Sequence, residues 1–92
     1  MDKLNETMIQ QTMESVAEWS LSGEAIQRTF THDDFIGSMG FVQAVAELAE
    51  AAQHHPDILI RWNKVTLTLS THDAGGLTER DFLLAKSIDR LV

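Results

Sequence analysis

No cysteine occurs among the 92 residues. A disulfide framework and a thiolate metal site are therefore both excluded. The absence fits a reducing cytoplasm. Basic residues are few and scattered: seven Lys and Arg stand against fourteen Asp and Glu, a net charge of −7. Phosphate binding needs clustered Lys and Arg, so a nucleic-acid surface is not expected. No apolar run is long enough to span a bilayer, and Met1-Asp2-Lys3-Leu4-Asn5-Glu6 lacks the apolar core of a signal peptide. Proline occurs once, at Pro56, and no linker, repeat or low-complexity segment interrupts the chain. Hydrophobic residues make up 43%, as in a globular chain. The length suits one small domain, residues 1–92. So small a domain buries a limited share of its surface, and self-association would add stability.

What the chain does have is three of its four histidines between Glu50 and Asp81. They are His54, His55 and His72. Imidazole trades protons near neutral pH better than any other side chain. The periodicities place these residues on elements. Ile9, Met13, Val16 and Ala17 recur at helical spacing from Asn5, a plausible cap. Trp19 and Leu21, then Ile26, Arg28 and Phe30, alternate around Ser22-Gly23-Glu24 and predict a hairpin. Asp33 or Asp34 opens a long helix running to about His54. It carries two apolar rows: Phe35, Met39, Val42, Ala46 and Ala49, then Phe41, Val45, Leu48 and Ala52. A helix packed on one sheet needs only one stripe. The second row predicts a second partner, either a neighbouring helix or, favoured because few other helices could cover it, another subunit, with Leu48 in the contact.

Pro56 ends that helix. Ile58 to Trp62 and Val65 to Thr71 then alternate, and a turn at Asn63-Lys64 would pair Trp62 with Val65. Thr66, Thr68 and Ser70 form a polar outer face. Thr78 caps a last helix, with Asp81 as the capping-box acid and Leu77 stapled to Phe82. The order helix, two strands, long helix, two strands, helix gives an α+β fold. Its four-stranded antiparallel sheet has helices packed on one face.

Each candidate also has a bland reading. Glu50 and His54, four apart on a helix, would be neighbours, and a carboxylate beside imidazole favours its charged form. The same pair could be an ordinary surface contact. His55 could be a polar plug before Pro56, and His72 an exposed strand end. Asp81 could be cap alone, and Asp57 and Asp73 turn residues. His32 reads as surface. Trp19 could be core or pocket. A metal site is the rival chemistry. However, adjacent His54 and His55 lack the usual helical spacing of ligands, so none is expected.

The spacing Glu50-x3-His54-His55-Pro56-x5-Trp62-x9-His72-x8-Asp81, with Leu69-Ser70-Thr71-His72-Asp73 and Gly76-Leu77-Thr78, resembles the pterin-4a-carbinolamine dehydratase family. The resemblance covers most of the chain. It implies dehydration of 4a-hydroxytetrahydropterin to quinonoid dihydropterin. His54 and His72 would be acid and base on opposite sides of the pterin, and His55 would orient it. Gln53, Ser70, Thr71 and Asp73 would contact substrate, Trp19 would stand at the pocket rim, and Glu50 and Asp81 would orient the histidines. It further implies no cofactor, since no redox step occurs. The setting would be a cytoplasmic homodimer or homotetramer beside an aromatic-amino-acid hydroxylase. Gln53 departs from the Asp of vertebrate members, which puts substrate affinity in question. Members of this fold also act as assembly modules or transcription coactivators, which is the alternative, non-enzymatic expectation.

Overall fold

A computed structural model describes residues 2–92. Asn5 caps the first helix, α1 (Glu6–Met13), by accepting from Met8 N at 2.9 Å. A 3-10 turn, Glu14–Val16, follows. Strands β1 (Ser20–Ser22) and β2 (Ala25–Thr31) form a hairpin whose Gly23 takes φ +61°. That value favours glycine. Then come α2 (Phe35–Ala52), β3 (Asp57–Arg61), β4 (Lys64–Leu69), a 3-10 turn at His72–Ala74 and α3 (Glu79–Asp89). The four strands make one antiparallel sheet in the order β1-β2-β4-β3. This is the expected α+β architecture.

The sheet's two faces follow the alternation. Ile26, Phe30, Val65, Leu67 and Leu69 are buried, together with Val45, Phe82, Ala85 and Ile88 from the helices. On the outer face Gln27 Nε2 donates to Thr68 Oγ1 at 2.9 Å, and the Thr29 and Thr66 hydroxyls lie 2.8 Å apart.

Four expectations need correction. First, Trp19 is core, 3% exposed, and stands edge-on to Phe30. Its indole donates to Asp89 Oδ1 at 2.8 Å, so it is spent on joining β1 to α3 rather than on a pocket rim. Leu21, its expected partner in alternation, is exposed, and Trp19 lies just before the strand. Second, β3 and β4 pair with Arg61 opposite Lys64. The turn is therefore Trp62-Asn63, two residues off the expected register, and a two-residue slip keeps each side chain on its face. Trp62 sits at φ +52° and is 68% exposed. The turn is fixed from outside: Ser38 Oγ donates to Trp62 O at 2.7 Å and His32 N to Asn63 O at 2.7 Å.

Third, His32 is half-buried against Phe41, with ring centroids 4.8 Å apart. Fourth, both rows of α2 contribute to the core: Val42 and Ala49 of the first row pack inward together with the second. Phe41 and Val45, from the row assigned to a partner, face the chain's own core. Leu48 is half-buried against that core. The large apolar residues of α2 left uncovered are Phe35, Ile36 and Met39, at the start of the helix.

Candidate functional site

The site begins where α2 ends. Gln53 takes the left-handed conformation, φ +51°. Its N–H bonds Glu50 O at 3.2 Å, and His54 N bonds Ala49 O at 3.1 Å. This is the Schellman pattern, with Gln where Gly is usual. The reversal sends the adjacent histidines to different sides. His55 is exposed, with Nε2 2.6 Å from Glu50 Oε2. His54 is buried, with Nε2 2.5 Å from Asp81 Oδ1. Glu50 thus pairs with His55, not with His54 as helical spacing predicted, because the helix stops before His54.

Asp81 is fully buried. Its Oδ2 accepts from Thr71 Oγ1 at 2.8 Å and from Thr78 N at 2.9 Å. The second of these closes the capping box that starts α3. Thr71 spends its one proton on Asp81, so the 2.7 Å contact between hydroxyls has Thr78 donating to Thr71. An ionised carboxylate only accepts. His54 therefore presents N–H at Nε2, which leaves Nδ1 as its free edge in the neutral ring. Sequence reasoning gave Asp81 both duties, cap and orienting acid, and the geometry has it in both places. What it missed was Thr71 as a link; no periodicity marks a hydroxyl as buried.

A cleft of about 350 Å³ opens beside β4, walled by His55, Asp57, Thr68, Ser70 and His72. Two of the three candidate imidazoles share it. His54 instead edges a neighbouring groove of about 430 Å³ between α2 and α3, with Leu48, Arg80 and Leu83. It connects to the cleft wall through Asp81 and Thr71, which stands in the chain between Ser70 and His72. His72 and Asp73 are exposed in the 3-10 turn, and Gln53 is exposed with its carbonyl accepting from Arg80 Nη2 at 3.3 Å. Thr71 is buried behind the cleft. Among the described residues no three His, Asp or Glu are grouped to hold a metal ion. A larger hollow of about 670 Å³ lies between the segment ahead of α1 and the β1–β2 turn, with no histidine on its wall.

The fold sets two imidazoles over one cleft and a third on a buried carboxylate, groups of the kind that can exchange protons. The sequence matches the family described as Pterin 4 alpha carbinolamine dehydratase over residues 2–91, and the chain belongs to that family. A relative from Roseiflexus castenholzii named for pterin-4-alpha-carbinolamine dehydratase is 52% identical over 89 residues, 97% of this chain and 96% of that protein. One of the same name from Acidobacterium capsulatum is 51% identical over the full length of both. The crystal structure of a transcriptional coactivator/pterin dehydratase from Brucella melitensis superposes with a TM-score of 0.92 at 33% identity, covering 98% of each chain.

Proposed function

We propose that this protein is a hydro-lyase that dehydrates 4a-hydroxytetrahydropterin to quinonoid dihydropterin by histidine acid/base catalysis. The carrying observation is the cleft that His55 and His72 share, with His54 locked to Asp81 behind it. Hydroxide leaves carbon 4a poorly and water leaves well. An imidazolium gives the hydroxyl a proton as the C–O bond breaks, and an imidazole takes one from a ring nitrogen. Proton count balances, no electrons are exchanged, and the reaction draws on no cofactor.

In this reading His72 in the cleft and His54 on the neighbouring groove are the acid/base pair, which requires the pterin to reach across both, and His55 orients the ring. Ser70 and Asp57 on the cleft wall offer it hydrogen bonds, and Gln53 and Asp73 at the mouth add contacts. Thr71 serves through Asp81. The setting is recycling of oxidised tetrahydropterin in the cytoplasm, beside an aromatic-amino-acid hydroxylase, by a homo-oligomer. Among the described residues no helix is long and apolar enough to cross a membrane.

The test is a dehydration assay. His72→Ala and His54→Ala should each lower kcat by about 10² to 10⁴, the usual contribution of a positioned acid or base. No acceleration over buffer by the unaltered protein would end the enzymatic reading. A second reading, a docking module, draws on the coactivator name of the Brucella melitensis structure and on the uncovered Phe35, Ile36 and Met39. Retention of all three site histidines favours the enzyme.

A further inference from the structure

His72 is aimed by its turn alone, since among the described residues its ring makes no hydrogen bond. Thr71 and Gly76 bridge the base of the turn, N to O at 3.0 Å and 3.4 Å in the two directions. Gly75, at φ +76°, donates to His72 O at 3.0 Å. One side of that base is fixed by Thr71 on Asp81.

The other side is covered by Lys3, from the segment ahead of α1. A Cβ built on Gly76 would stand 2.8 Å from Lys3 Cε and 3.3 Å from Lys3 Cδ. The lysine stem therefore lies directly across bare backbone. Its ends are tied: Lys3 Nζ donates to Glu24 Oε1 at 3.3 Å, and Leu4 N donates to Leu77 O at 2.8 Å. The Glu24 carbonyl in turn accepts from Ser70 Oγ at 2.9 Å, and Ser70 walls the cleft. A ring of contacts thus runs Ser70, Glu24, Lys3, Gly76, Thr71.

We propose that Lys3 is a positioning residue, whose stem laid over Gly76 sets the turn that points His72 into the cleft. The ion pair is half-exposed and weak. The stem does the holding, as long cationic side chains do when they cover apolar or bare surface. Small misplacements of an acid or base cost rate rather than binding.

Kinetics and amide exchange on the full chain test this. The kinetic part rests on the dehydratase reading; the exchange part does not. Lys3→Ala should lower kcat roughly tenfold with KM changed less than about twofold. It should speed exchange at the Ala74 and Gly75 amides roughly tenfold and leave Tm in place. Lys3→Met, which keeps the stem without the charge, should restore both. Gly76→Ala displaces the stem and should match Lys3→Ala. The double variant should be no worse than either single, the signature of two residues sharing one contact. Unchanged turn exchange in Lys3→Ala, multiplying effects in the double variant, or a Lys3→Met as impaired as Lys3→Ala would each overturn the proposal. If the unaltered protein shows no dehydration, the exchange results still decide the role of Lys3.

Discussion

Asp81 has no solvent contact and satisfies three donors with two oxygens. Asp81→Asn puts an amide where only acceptors fit. Turned toward Thr71 and Thr78 it meets two donors, and turned toward His54 it forces the other tautomer. We expect a loss of about 3 kcal/mol in urea unfolding, together with reduced turnover. Thr71→Val keeps the shape but removes a donor to Asp81 and the acceptor of the Thr78 hydroxyl, so its cost should be about 1–2 kcal/mol by the same measurement, below that of Asp81→Asn. A Thr71→Val variant as damaged as Asp81→Asn would mean that the hydroxyl, not the carboxylate, organises the network. At the other end of α3, Asp89 Oδ1 accepts from both Trp19 Nε1 and Arg28 Nη1 at 2.8 Å. Asp89→Ala should cost about 1–2 kcal/mol and shift the fluorescence of Trp19.

The helix end at Gln53 shows what a sequence does and does not disclose. Pro56 forecast the stop, and the histidine pair was correctly set at that end. Which histidine turned inward was not forecast, because helical spacing assumes a helix that continues. A single left-handed residue, Gln53, three positions after Glu50, breaks that assumption and hands Glu50 to His55. The hairpin of β3 and β4 failed in the same manner. Alternation fixed which face each residue takes, but the turn was decided by His32 and Ser38, remote in sequence. Trp19 was ambiguous because residue type alone does not reveal Asp89 as a partner for its indole. The cap of α1, the capping box of α3 and the polar sheet face were legible, since each depends on neighbours a few residues away. Gln53→Gly should relieve the left-handed strain and raise stability by as much as about 1 kcal/mol in thermal unfolding. If the Gln53 side chain contacts pterin, KM should rise in the same variant. Unchanged KM would remove Gln53 from the substrate contacts.

For the whole molecule, the unresolved demand is the apolar surface of α2. Phe35, Ile36 (77% exposed) and Met39 form a cluster at its start, and such clusters mark contacts with other proteins. A second copy of the chain is the partner this reading assigns. Ile36→Glu should lower the mass found by light scattering while the circular dichroism of the helices persists. Leu48→Glu should instead unfold the chain, because Leu48 packs on its own core. An unchanged mass for Ile36→Glu would place self-association on another face.

The carboxylate that starts the last helix is the same one that holds the inward imidazole. A single atom group therefore answers to two masters, backbone order and, in the proposed reaction, the imidazole. If the dehydratase reading holds, drift at position 81 cannot trade robustness for turnover. Any variant that tunes the imidazole through this position must first rebuild the start of α3 by other means, which closes the shortest mutational road to altered activity.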